Sequence, residues 1–154
     1  MIASIIKKYE TATLDDISSV SLMNRIDSKY LISLSKLCEL LNILQKTHQI
    51  VEINNLVHLP YKTLYFDTED FYCYHRHHNG KLNRYKYRTR EYLSTNVVFN
   101  EVKHKINTGK TKKSRIKRKV FTDYFDKKFS KFATDKSPEF KSGKYLPKLF
   151  VNYN

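Results

Sequence analysis

Basic residues alternate with other residues from Lys81 to Lys119, and this alternation constrains the fold more than any other feature of the chain. Along a strand, every second side chain points to the same face. The alternation therefore predicts three successive strands, each with one cationic face. Its members are Arg84, Lys86, Arg88 and Arg90, then Glu101, Lys103 and Lys105, and then Lys113, Arg115, Lys117 and Lys119.

This basic stretch holds nearly all of the net charge of the chain. Between residues 75 and 120 there are 15 Lys and Arg and two acids, Glu91 and Glu101, so the local excess of 13 is close to the total of +14. Like charges that lie opposite each other on paired strands destabilise a sheet. A solvated outer face would explain one such strand, whereas three in succession favour a polyanion site, with phosphate as the bound group.

Composition narrows the class of protein. With 154 residues, of which 40% are apolar and 29% charged, the chain predicts one globular domain over residues 1–154, with residues 1–20 as a lead-in segment. Two cysteines, no secretory signal and no apolar run of membrane-spanning length favour a cytoplasmic location. The charge of +14 favours an anionic partner: nucleic acid, anionic lipid, nucleotide or polyphosphate.

The segments around the basic stretch predict further strands and two helices. Residues 21–32 read as a strand in which Arg25, Asp27 and Lys29 share a face, and residues 63–68 and 147–153 read as two more strands. Residues 35–48 predict a helix capped by a serine, with a buried stripe of Leu37, Leu40, Leu41 and Leu44. A second helix is predicted over residues 119–134, packed on the sheet through Phe121, Phe125, Phe129 and Phe132.

A helical turn is predicted over residues 71–78, just before the first basic strand. It carries Cys73 and three histidines, a combination that zinc can use. No second pair of ligands follows at the spacing of a zinc finger, so the sequence disfavours a metal here.

Four segments together resemble the VTC domain family, which is named after the vacuolar transporter chaperone polyphosphate polymerase and belongs to the triphosphate tunnel (CYTH-like) superfamily. They read LMNRIDSKY at residues 22–30, TLYFDT at 63–68, YKYRTREY at 85–92 and EVKHK at 101–105, in the order and spacing of the family. The resemblance implies an α+β fold. Its centre would be a closed antiparallel β tunnel, lined by Arg, Lys and Glu and covered outside by helices.

The resemblance also implies a function and a set of site residues. The function would be that of a polyphosphate polymerase, a phosphotransferase that moves phosphoryl groups from ATP to a polyphosphate chain. Lys29 would lie near the reacting phosphate, and Glu101 would hold Mg²⁺ or Mn²⁺. The residues expected to bind phosphate are Arg25, Arg76, Lys86, Arg88, Arg90, Lys103, Lys105, Lys113 and Arg115.

Members of the family continue with further strands that carry Arg, Lys and a metal-binding Glu. We therefore expect the N-terminal part of a tunnel, with weak or no activity unless a partner chain supplies the rest. One alternative is a tunnel-type triphosphate hydrolase, although such relatives open with Glu-x-Glu-x-Lys where this chain has Arg25-x-Asp27-x-Lys29. Another is a non-catalytic β domain that binds polyanions or nucleic acid. Against base stacking on such a domain, Tyr85 and Tyr87 alternate onto the face opposite the cations.

Overall fold

A computed structural model describes residues 1–18, 28, 30–141 and 143–153, which divide into two compact units, Met1–His58 and Leu59–Asn154. The described part of the first unit contains α1 (Ile2–Ile6), β1 (Thr11–Ala12), α2 (Leu34–Leu44) and β2 (Ile50–Val51), and β1 pairs with β2 in parallel. Of the predicted strand at residues 21–32, the structure describes only residues 28 and 30–32, which are not in a strand, and Arg25 and Lys29 lie outside the described residues.

Helix α2 begins as predicted and ends four residues early. The Ser33 hydroxyl accepts a hydrogen bond from the backbone N–H of Lys36 (3.3 Å), which is the expected serine cap. The prediction of a fully buried leucine stripe was wrong: Cys38 is buried, whereas Leu40 is 44% exposed. Within its unit, α2 packs against the five-residue α1, which is too short to cover a wide apolar stripe.

The second unit is built on a five-stranded antiparallel sheet, and the strands predicted from the alternation are confirmed. The order across the sheet is β6-β5-β4-β3-β7. In chain order its elements are β3 (Tyr61–Thr68), α3 (Tyr72–His78), β4 (Arg84–Tyr92), β5 (Val97–Lys105), β6 (Thr111–Arg118), α4 (Lys127–Lys136) and β7 (Tyr145–Tyr153). The fold is α+β, as predicted.

One face of this sheet forms the hydrophobic core. Helix α4 packs on it through Phe129 and Ala133, both 0% exposed, and the Phe129 ring stacks on Phe125 at 4.1 Å between centroids. Apolar side chains from the sheet, α3 and the segment before β7 complete the cluster: Leu64, Phe66, Cys73, Tyr85, Tyr87, Val102, Phe140 and Tyr145. The predicted packing of a phenylalanine-rich helix against the sheet is confirmed.

The start of α4 corrects the predicted helix over residues 119–134. The helix begins at Lys127 because Asp126 caps it: one carboxylate oxygen accepts a hydrogen bond from the backbone N–H of Phe129 (2.8 Å). Both carboxylate oxygens also bond the guanidinium of Arg118, at the end of β6. Phe121 and Phe125 still pack against the core, although they precede the helix.

Within the described residues the sheet is open, with β6 and β7 at its edges, and it does not close into a barrel. The closed tunnel expected from the resemblance is therefore not seen in this part of the chain. No helix among the same residues has the length and apolar character to cross a membrane.

Candidate anion-binding site

The face of the sheet opposite α4 carries the predicted basic side chains. The register pairs Lys86 with Lys103 and Lys103 with Lys113, so three lysines lie side by side on β4, β5 and β6. Neighbouring like charges of this kind oppose folding unless something compensates them. We call this surface the cationic face, and it comprises Lys86, Arg88, Arg90, Glu101, Lys103, Lys113, Arg115 and Lys117.

Lys103 lies in the middle of the lysine row and is half-buried. Burial lowers the pKa of its ammonium group from the ordinary value, and repulsion by Arg88 and Lys113 lowers that pKa further. Attraction to Glu101 opposes these effects without cancelling them. A bound anion would therefore relieve a repulsion that the folded chain carries.

The next row contains a buried ion cluster. Arg88 is 5% exposed and Glu101 is 0% exposed. The Nε and Nη2 atoms of Arg88 each lie 2.5 Å from Oε2 of Glu101, and Arg88 Nη1 donates to the Tyr65 hydroxyl at 3.2 Å. The second carboxylate oxygen, Oε1, lies 2.7 Å from Nζ of Lys113. We call Arg88, Glu101 and Lys113 the triad.

Glu101 is an ionised carboxylate in this setting. Burial alone would raise its pKa, but the ammonium group of Lys113 close to Oε1 and the charge of Arg88 outweigh burial and hold the pKa of Glu101 below its ordinary value. Both of its oxygens face cations, so the negative charge is compensated inside the protein.

This pairing does not fit the predicted metal ligand. A divalent ion needs carboxylate or carbonyl oxygens directed at it, whereas both oxygens of Glu101 are directed at Arg88 and Lys113. The described residues contain no group of three or more His, Cys, Asp or Glu that could hold a metal ion. In the arrangement of the described residues, both oxygens of Glu101 are therefore taken up by cations. Glu101 as a metal ligand and the requirement for Mg²⁺ or Mn²⁺ stay predictions.

Aromatic rings lie at one end of the cationic face. Arg90 Nε donates to the Thr63 hydroxyl (2.9 Å), and its guanidinium lies 4.1 Å above the ring of Tyr61. The Tyr61 ring stacks in turn on Tyr153 at 4.4 Å. This network orients Arg90, which is half-buried and directed at the same face as the lysine row.

The rings correct an expectation drawn from the sequence. Tyr85 and Tyr87 do lie on the core face, as predicted. Other aromatic side chains share the cationic face, since Tyr61 contacts Arg90 and the Phe99 ring lies 4.4 Å from the guanidinium of Arg115. The alternation of Tyr61, Thr63 and Tyr65 along β3 is visible in the sequence, but only the pairing of β3 with β4 puts it beside the arginines.

A pocket of about 640 Å³ adjoins the cationic face beside α3. Its apolar wall includes Leu149 and Val151 of β7, and Lys86 of the cationic face also lines it. Nearby, Nζ of Lys148 lies 4.7 Å above the ring of Phe71. An anion on the lysine row would therefore have an apolar and aromatic surface next to it.

Two of the predicted phosphate-binding residues bond nearby backbone groups. Arg76 donates to the carbonyls of Leu82 and Asn83 at 3.1 and 3.2 Å, and its Nη2 lies 3.9 Å from Glu139. Lys105 donates to the carbonyl of Gly109 at 2.6 Å and thereby supports the turn between β5 and β6. A phosphate-binding role for either residue stays a prediction.

The family model of the VTC domain matches residues 24–153, which is most of the chain. The chain belongs to the VTC domain family. The match includes β3 to β7 and hence every residue of the cationic face of this VTC domain. A comparison with curated proteins gives no match.

Proposed function

We propose that this VTC domain binds a chain of phosphate groups on its cationic face: the triphosphate of a nucleotide such as ATP, and polyphosphate. The observation that carries the proposal is the register that pairs Lys86 with Lys103 and Lys103 with Lys113, which brings lysines of three neighbouring strands into one row. A phosphate chain places several negative charges in line and would neutralise such a row. Arg90, oriented by Thr63 and Tyr61, would add a planar donor beside it.

The finer proposal, which rests on family membership, is transfer of phosphoryl groups from ATP to a growing polyphosphate. Such transfer depends on charge neutralisation and in-line placement more than on a general acid or base. Lys29 remains the proposed catalytic residue and Arg25 a proposed phosphate ligand, both outside the described residues. In a closed tunnel, further strands, from this protein or a partner chain, would pair with the edges of the described sheet at β6 and β7.

Calorimetric titration tests the binding proposal. The chain is titrated with tripolyphosphate, with long-chain polyphosphate and with a short single-stranded DNA, each at two salt concentrations. The site variant is Arg90→Ala/Lys103→Ala, because Arg90 and Lys103 are half-buried on the cationic face, whereas Arg88 is buried in the triad. We expect this variant to lose at least about tenfold in tripolyphosphate affinity, as two charge-assisted contacts disappear.

The matched control is Lys128→Ala/Lys131→Ala, which also removes two charges. Both lysines are exposed on α4, which packs on the opposite face of the sheet. Equal losses in the two double variants would mean that only net charge attracts the anion, and the proposal would fail.

A specific observation favours one second candidate, binding of single-stranded nucleic acid. The rings of Tyr61 and Phe99 share the cationic face, and bases stack on such rings in proteins that bind single strands. Each of these rings, however, already has a guanidinium within 4.4 Å of its centroid. DNA affinity that equals tripolyphosphate affinity and falls in Tyr61→Ala would favour this candidate.

A product assay separates polymerase from hydrolase. The chain is incubated with ATP, a divalent metal and a short polyphosphate primer, and both polyphosphate length and released phosphate are measured. Lengthening of the primer supports the polymerase. Release of phosphate without lengthening supports the triphosphate hydrolase.

A further inference from the structure

Glu101 is an acid at the centre of a face that is otherwise basic in the described residues. A negative charge there repels an anionic ligand, so charge alone makes Glu101 unfavourable for the proposed binding. Its contacts with Arg88 and Lys113 point to a favourable effect on binding that offsets this repulsion. Glu101 is fully buried, Arg88 on the neighbouring strand holds one of its oxygens, and the other oxygen reaches the ammonium group of Lys113.

The two cations of the triad differ in what they can offer a ligand. Arg88 is 5% exposed, and its Nε, Nη1 and Nη2 atoms all have partners inside the protein, so it is poorly placed to contact a phosphate. The side chain of Lys113 is 37% exposed and lies at the end of the lysine row. Lys113 is therefore the member of the triad that a ligand can reach.

We propose that Glu101 is a positioning residue: anchored by Arg88, it holds the flexible Lys113 side chain at the lysine row, ready for the phosphate chain. The inference rests on the proposed phosphate binding and assigns Glu101 a role other than metal ligation. A free lysine loses considerable rotamer freedom when a ligand immobilises it, and prior orientation by Glu101 removes part of that loss from the binding step. Arg88 is likewise a positioning residue, acting through Glu101.

The sign of one mutational effect tests this role. Glu101→Gln adds one positive charge to the face, so simple electrostatics predicts tighter tripolyphosphate binding. Positioning predicts the reverse, because the neutral amide holds Arg88 and Lys113 weakly. We expect tripolyphosphate affinity, measured by calorimetry at low salt, to fall about tenfold.

The matched control is Glu91→Gln, which adds the same charge on the other face of the sheet. On that face Oε2 of Glu91 lies 2.6 Å from Nζ of Lys62, and neither residue belongs to the triad. We expect Glu91→Gln to bind tripolyphosphate as tightly as the wild type or slightly more tightly. Glu101→Gln binding as tightly as Glu91→Gln would overturn the positioning role, and a wild type that does not bind tripolyphosphate would overturn the proposed function and this inference together.

A measurement on the wild type covers the case in which Glu101→Gln does not fold, since it removes the partner of a buried guanidinium. The Nε–H signal of Arg88 is followed by ¹H–¹⁵N NMR during titration with tripolyphosphate, and Arg88→Lys identifies the signal by its loss. Positioning predicts that the signal stays protected from solvent exchange at saturation, because Glu101 remains bonded to Arg88. Loss of that protection would mean that phosphate displaces Glu101, and the inference would fail.

Discussion

At the scale of residues, Lys103 shows how the sheet tunes a single charge. Burial is the largest cause that lowers its pKa, followed by repulsion from Arg88 and Lys113. The charged form of Lys103 is therefore less favourable in the folded chain than in water. By linkage, the folded chain gains stability as pH rises through this lowered pKa toward the ordinary lysine value of 10.5, because the unfolded chain then binds more protons. An anion that binds the charged form of Lys103 raises the pKa of its ammonium group again.

This predicts an alkaline loss of binding. Tripolyphosphate affinity should fall about tenfold as pH rises from neutral to about 10, starting below the ordinary lysine pKa, because neutral Lys103 no longer attracts the anion. Lys103→Arg should keep its affinity over this range, since arginine stays charged. Calorimetry at several pH values is the measurement. Lys128→Arg, at an exposed position of α4, should follow the wild type, and an equal loss of affinity in Lys103→Arg would contradict the assignment.

At the scale of elements, Asp126 decides where α4 begins and connects the helix to the sheet. It accepts from the backbone N–H of Phe129 and binds Arg118 at the end of β6. The hydrogen bond with Arg118 is the main cause that lowers the pKa of Asp126, and the cap adds to it. A carboxyl group with a lowered pKa stabilises the folded state above its unfolded pKa, and this contribution is lost as pH falls through the folded pKa.

Two substitutions should separate the cap from the charge. Asp126→Asn keeps a good cap and loses the ion pair, so we expect a loss of up to about 1 kcal/mol at neutral pH, because solvent screens this partly exposed pair. Asp126→Ala also removes the helix cap, so its free energy of unfolding should be about 1 kcal/mol lower than that of Asp126→Asn. Urea unfolding at pH 7 and at about pH 3 measures both. The difference between wild type and Asp126→Asn should shrink at the lower pH, and a difference independent of pH would exclude the ion pair as its source.

At the scale of the whole molecule, the second unit contains a complete set of core contacts. The five-stranded sheet, α3, α4 and every member of the aromatic core cluster lie within Leu59–Asn154. The cationic face lies in the same unit, because all of its strands do.

We therefore predict that a fragment of residues 59–154 folds without residues 1–58. It should show strand-rich circular dichroism and a cooperative urea transition, with a free energy of unfolding of the order of 5 kcal/mol. Phe129→Ala in this fragment is the control, because Phe129 is 0% exposed and its loss should remove about 3–5 kcal/mol. A fragment without a cooperative transition would show that the first unit is needed for folding.

Which side chains share a strand face could be predicted from the sequence alone. The period of two is a local property of extended backbone, so it predicted that Arg88 and Arg90 lie opposite Tyr85 and Tyr87, and it located β4, β5 and β6. The length, aromatic periodicity and basic charge of the chain likewise predicted a helix packed on a sheet with an anion-binding face. The family motifs were also visible, and the VTC assignment followed from them.

The contacts of each charged side chain, in contrast, depend on how the folded sheet is assembled. Register between strands depends on turns and packing that join residues far apart in the chain, and it placed Glu101 between Arg88 and Arg115. The side chain of Lys113, which is paired with Lys103, reaches Glu101 from the neighbouring row. Cations that look equivalent in the sequence also differ in burial and in their contacts. Arg88 is enclosed with its acid, Lys105 bonds a turn carbonyl, and Lys103 remains half-buried in a row of like charges, because each position has different neighbours across the sheet.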